Sequence, residues 1–133
     1  MRAPVLLCID DIPQLLQVRK AKLEPFGLSV VTAMTVSSAI AALEGMAIDA
    51  VLIDYKSEGM DSEAIAFHIK QRFPQKPIIL LSAYSDLPER ILWLVDEYLM
   101  RGEPVERLVQ ILDRLTRARE KQAPRSDNVK RSA

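Results

Sequence analysis

Short apolar runs alternate with amphipathic stretches along this chain, and that alternation constrains its fold more than any other feature. Val5-Leu6-Leu7-Cys8-Ile9, Ala50-Val51-Leu52-Ile53 and Ile78-Ile79-Leu80-Leu81 are unbroken apolar runs bounded by Pro, Asp or Ser. Runs this short and continuous predict strands buried on both faces. Ser29 to Ala33 and Asp96 to Met100 are weaker strand candidates. Helical patterns lie between them. Pro13 suits the first turn of a helix running to about Glu24, with Gly27 as its stop. Val36, Ala39, Ile40 and Leu43 fall at i, i+3, i+4 and i+7 behind Thr35, a natural N-cap. Asp61 or Ser62 caps a third helix, marked by Ile65, Ile69 and Phe73 and closed by Pro74 and Pro77. Asp86 caps a short fourth helix with Pro88 in its first turn. Val105, Leu108, Val109, Leu112 and Leu115 form the stripe of a fifth, begun near Pro104. Strand then helix, five times over, predicts an α/β fold: a parallel sheet covered on both faces.

The chain has 133 residues, enough for one domain and a short tail. Its formal net charge is zero, which argues against a dedicated nucleic-acid binder. The zero hides an asymmetry. Residues 1–116 carry 12 basic and 16 acidic side chains, and residues 117–133 carry 6 and 2. Beyond Arg119 the apolar periodicity stops, so the expectation is a domain over 1–118 and a disordered basic tail over 119–133. One cysteine, Cys8, excludes an internal disulfide framework and fits a reducing compartment. The apolar run at the N-terminus is too short for a signal peptide or a membrane span. The expectation is a cytoplasmic protein with no membrane partner.

Asp10 and Asp11 end the first predicted strand and Asp54 ends the third. In an open parallel sheet the ligand crevice lies outside those strand ends. If the two strands are neighbours, three carboxylates converge there, each raising the others' pKa unless a cation intervenes. Hard oxygen donors with room for retained water suit Mg²⁺. The alternative is that Asp10 and Asp11 serve the first helix terminus and Asp54 starts a turn. No Gly-rich phosphate loop and no Ser/His/Asp set accompany them, so nucleotide hydrolysis and acyl transfer find no support. A flavodoxin-like cofactor binder lacks its phosphate loop for the same reason.

VLLCIDD, AVLIDYKSEGMDS, PIILLSAYSD and DEYLMRGEPVERL resemble, in order and spacing, the receiver domain of bacterial two-component response regulators, over roughly residues 4–116. The resemblance implies a doubly wound (βα)5 sheet in the flavodoxin-like strand order 2-1-3-4-5. It implies that Asp54 accepts a phosphoryl group from a sensor histidine kinase or a histidine phosphotransfer protein, as a carboxylate nucleophile forming an acyl phosphate. Asp10, Asp11 and Asp54 would hold Mg²⁺ with the backbone carbonyl of Lys56. Ser82 matches the hydroxyl that binds a phosphoryl oxygen. Tyr98, sixteen residues later, matches the aromatic that fills the space Ser82 leaves.

The sequence departs from the family in four places. Arg101 stands where the family has lysine, and it is taken as a clamp on the phosphate. Gly102 follows it in place of proline, so a cis bond is not expected there. The loop after Asp54 reads Lys56-Ser57-Glu58-Gly59 in place of the usual Met-Pro loop; Lys56 there, and Tyr84, flank the expected path of attacking water and are read as shields that lengthen phosphoryl lifetime. The interval from Ser82 to Tyr98 is shorter than usual, with Trp93 and Leu94 as core or partner-patch residues. The function expected is a stand-alone, chemotaxis-regulator-like switch, a signalling phosphoprotein and not an enzyme beyond its own phosphorylation and dephosphorylation. It would act on an unknown downstream protein as a monomer or weak homodimer. The alternative is a degenerate receiver working as a phosphorylation-independent interaction module.

Overall fold

The structure, a computed structural model, describes residues 3–56 and 59–132, with side chains as far as residue 118. The apolar runs become strands: β1 (Val5–Ile9), β2 (Ser29–Ala33), β3 (Ala50–Asp54), β4 (Ile78–Ser82) and β5 (Glu97–Met100). All pair in parallel, in the order β2-β1-β3-β4-β5. This is the order expected from the family resemblance. Five α-helices alternate with them: α1 (Pro13–Leu23), α2 (Val36–Gly45), α3 (Ser62–Arg72), α4 (Glu89–Leu92) and α5 (Val105–Ser132). A 3-10 turn at Glu24–Phe26, ended by Gly27, follows α1.

The period-two alternation of the strands divides the core. Leu7, Ile9, Val51, Ile53, Ile78 and Leu80 pack under α2, α3 and α4 through Ala39, Leu43, Ile65, Ile69 and Ile91. Leu6, Cys8, Leu52, Ile79 and Leu99 face the other way, against Leu16 and Leu23 of α1 and Leu108, Ile111 and Leu112 of α5. Thr35 caps α2 as expected, in a reciprocal box with Ser38. Asp61 caps α3 by accepting from the Ala64 N–H at 3.0 Å. At the amino ends of the strands, Asp49 accepts from Val5 N–H and Asp96 from Ile78 N–H, both at 2.7 Å. These carboxylates satisfy strand donors that would otherwise lie buried without a ladder partner.

The start of α4 differs from the sequence expectation. Pro88, not Asp86, holds the N-cap position of α4, and the helix is a single turn. Trp93 follows it with 80% of its surface exposed, while Leu94 and Val95 pack against the core. At the C-terminus the backbone of α5 is helical as far as Ser132, across residues for which the sequence expectation is a disordered tail. Arg117 to Ala123 are strong helix formers, whereas Pro124 lacks the N–H of the helical ladder and is unfavourable in a helix interior. Ala133 lies outside the described residues.

Candidate functional site

Strand order decides where the carboxylates go. The chain leaves β1 toward β2 on one side and reaches β3 on the other, so their carboxyl ends share a crevice. Ile9 pairs with Ile53, which sets Asp10 beside Asp54. Both side chains are fully buried. Asp11 is half exposed at the rim. A Cβ at Gly59 would lie 3.0 Å from its Oδ2, and Gly59 itself has φ +84°. Glycine is what the loop after β3 needs to pass this close to Asp11.

Three cations meet the three carboxylates. Arg101 donates to Asp54 from Nη2 at 2.5 Å to each oxygen, and from Nε at 3.2 Å. Lys56 Nζ stands 2.6 Å from Asp10 Oδ1, 2.9 Å from Asp11 Oδ1 and 3.6 Å from Asp54 Oδ2. Arg19 Nη1 donates to Asp10 Oδ2 at 3.0 Å, and its Nη2 lies 3.9 Å from Asp54. The remaining contact is Ile12 N–H donating to Asp10 Oδ1 at 3.1 Å, so Asp10 does serve the start of α1. Among the described residues no buried side-chain nitrogen or oxygen lacks a partner.

The protonation equilibria follow from this balance. Burial pushes the Asp54 carboxyl above the usual range, and Arg101 and Arg19 offset that only in part. Burial also works against ionised Asp10, but Lys56, the Ile12 N–H and Arg19 outweigh it and hold that carboxyl low. Lys56 loses some hydration, yet Asp10 and Asp11 raise its pKa above the ordinary lysine value.

Arg19 is the residue that sequence reasoning missed. It lies on α1 between Leu16 and Leu23, both buried, on the stripe that faces the sheet. A charged residue at a stripe position is the signal that was available. Ser82 is fully buried at the end of β4, and its hydroxyl is engaged with Tyr84: it donates to Tyr84 O at 3.0 Å and accepts from Tyr84 N–H at 2.9 Å. Tyr98 on β5 is 40% exposed, directed away from the core. Tyr84, 48% exposed, lines a cleft of about 230 Å³ together with Ile12, Leu15, Tyr55, Ala83 and the two cations Lys56 and Arg101 that hold the carboxylates. The structure therefore brings Asp10, Asp11, Asp54, Lys56, Arg101 and Tyr84 together, and holds Ser82 at the edge and Tyr98 outside. Gly102 has φ +90°, and no peptide bond among the described residues is cis. His68 lies on α3 against Phe67 and has no part in the cluster.

The donor set is chemically suited to a hard divalent cation, since its side-chain donors are all carboxylate oxygens. Among the described residues, however, no three His, Cys, Asp or Glu side chains form a ready metal cage. The carboxylates are arranged around the Lys56 ammonium instead.

The family model of the response regulator receiver domain matches residues 6–113. The chain belongs to that family. It is 29% identical over 133 residues to the DNA-binding transcriptional regulator NtrC of Salmonella typhimurium, covering 97% of this chain and 28% of that protein. The Sensor protein GacS of Pseudomonas syringae is 33% identical over 84% of this chain and 13% of its own length. The chain thus spans less than a third of either curated relative. Among solved structures, the response regulator TrrA of Thermotoga maritima, in complex with Mg(2+)-BeF, superposes with a TM-score of 0.71 at 27% identity, covering 84% of this chain and 98% of that one. Among the described residues no helix is long and apolar enough to cross a membrane.

Proposed function

We propose that this chain acts as a response-regulator receiver whose Asp54 takes a phosphoryl group from a phosphohistidine on a sensor histidine kinase or phosphotransfer protein. The supporting observation is the environment of Asp54: a fully buried carboxylate at a strand end, clamped by Arg101, which itself lines a cleft with Lys56 and Tyr84. In the proposed step a carboxylate oxygen bonds to phosphorus while the phosphorus–nitrogen bond to histidine breaks, leaving the electron pair on the imidazole. Arg101 transfers its hydrogen bonds from the carboxylate to the phosphoryl oxygens. The Ser82 hydroxyl turns from Tyr84 to a third oxygen. Asp10, Asp11 and Asp54, with the Lys56 carbonyl, would hold Mg²⁺, which when bound offsets charge between the incoming phosphoryl group and the carboxylate. The output is a change in protein–protein contacts in the cytoplasm, with the chain a monomer or weak homodimer.

Incubation with Mg²⁺ and acetyl phosphate, followed by intact-mass measurement, tests this reading. The expected result is one phosphoryl adduct on the wild type and none on Asp54→Asn. No adduct under any Mg²⁺ concentration would refute it. A second reading, a phosphorylation-independent interaction module, is favoured by one observation: both oxygens of Asp54 are already held by Arg101. Retention of partner binding by Asp54→Asn would favour that module.

A further inference from the structure

The geometry points to Lys56 as a tethered cation that occupies the divalent-cation position of this cleft and must be displaced before Mg²⁺ binds. The inference deepens the proposed reading of the cleft as a phosphoacceptor site and rests on it for the identity of the cation. Lys56 Nζ lies within 2.6, 2.9 and 3.6 Å of Asp10, Asp11 and Asp54, the three carboxylates that a shared ion would use. A bound Mg²⁺ needs oxygen donors at about 2.1 Å, so it cannot share that space with the ammonium. Arg19 strengthens the closed arrangement by taking the other oxygen of Asp10. It lies on α1 between the buried Leu16 and Leu23, with its side chain only 16% exposed. Three side-chain cations against three carboxylates leave the cluster neutral without metal, and the usual repulsion that draws a cation in is already cancelled.

Lys56 and Arg19 differ in what they can do. Lys56 follows β3 on a loop and carries a flexible four-carbon stem, so its ammonium can withdraw toward the cleft mouth beside Tyr55 and Tyr84. Arg19 is fixed to a helix packed on the sheet. Lys56 is therefore the exchangeable cation and Arg19 the permanent one. The consequence is weak Mg²⁺ binding and a fold that does not depend on Mg²⁺ for stability.

The test is calorimetric titration of the full chain with MgCl₂, and thermal unfolding in chelator or in MgCl₂ at matched ionic strength. Wild type is expected to bind weakly and to unfold at nearly the same temperature in both buffers. Lys56→Met, which keeps the bulk of the stem, is expected to bind Mg²⁺ at least about tenfold more tightly, and to unfold earlier in chelator and later with Mg²⁺. Should Lys56→Met not fold without metal, Lys56→Gln, with a neutral polar head, provides the same comparison. Equal Mg²⁺ affinity in wild type and variant, or a wild type already strongly stabilised by Mg²⁺, would overturn the inference. Acetyl phosphate then separates the two readings. Tighter Mg²⁺ binding by Lys56→Met with no adduct on Asp54 leaves the tethered cation standing and removes the phosphoacceptor reading; an adduct with unchanged Mg²⁺ affinity does the reverse.

Discussion

Replacing Arg101 by Met tests whether the clamp on Asp54 contributes to folding in the way its geometry implies. The side chain makes three short contacts to a fully buried carboxylate, and a hydrogen bond to a charged group contributes ~1.5–3 kcal/mol. Two features lower the expected loss. The guanidinium side chain is 42% exposed, so water screens it, and Asp54 keeps Lys56 at 3.6 Å and Arg19 at 3.9 Å. The expected cost near neutral pH is about 1–2 kcal/mol, a fall of roughly 3–8 °C in melting temperature. The pH dependence carries the sharper test. Asp54 already titrates above its unfolded value because it is buried, and Arg101 is the largest influence pulling it down. Without Arg101 the folded-state pKa moves further up, so ionised Asp54 opposes folding more strongly. That penalty is complete above the folded pKa and vanishes below the unfolded value of about 3.9, where Asp54 is protonated in both states. Urea unfolding of wild type and variant across this window should show a stability difference that shrinks as pH falls. A difference that is independent of pH would mean that Arg101 acts through packing of its stem and not through Asp54.

Three further outcomes are expected. Burial pushes the Cys8 thiol up to about 12, so a thiol-specific disulfide reagent should react with it in urea but not in the native protein. Gly59→Ala should destabilise the fold by about 1–2 kcal/mol in chemical denaturation, because φ is +84° and the new methyl meets Asp11 Oδ2 at 3.0 Å. If Lys56 and Tyr84 shield the acyl phosphate, Lys56→Ala and Tyr84→Ala should each shorten its lifetime several-fold, measured as phosphate release after donor removal. An unchanged lifetime in both variants would sink that role.

The strands were legible because a buried parallel strand leaves a compositional mark: Leu6 to Ile9 and Ile78 to Leu80 have no polar face to interrupt them. Their order was not in the apolar pattern and came only with the family resemblance. Asp54 and Asp10 were legible by position, since each directly follows such a run. Of their partners, only Arg101 was legible, through the family resemblance. Lys56 sits in a loop, where no periodicity says which way a side chain points. Arg19 was hidden because a cation within a helix ordinarily reads as solvent-facing, whereas here it interrupts the Leu16–Leu23 stripe to reach two buried carboxylates.

On the proposed reading, Ser82 must turn its hydroxyl to the phosphoryl group, and in this structure that hydroxyl both donates to and accepts from the Tyr84 backbone. Turning it breaks two hydrogen bonds at once, so the β4–α4 loop cannot stay where it is while Ser82 moves alone. That loop leads into an α4 of one turn, which anchors itself in the core through Ile91 and is tied to α3 by Arg90 and Glu63 at 2.7 and 2.8 Å. A helix this short has little packing to resist the loop, and exposed ion pairs hold weakly. Trp93, immediately beyond it, is the most exposed large apolar side chain among the described residues, and Tyr98 stands outward on the neighbouring strand. Movement initiated at Ser82 would therefore reach Trp93 through a segment with few buried contacts. Trp93 fluorescence on addition of beryllofluoride and Mg²⁺ is the direct measure: a change in wild type that Ser82→Ala abolishes supports this route, and a change that persists in Ser82→Ala excludes it.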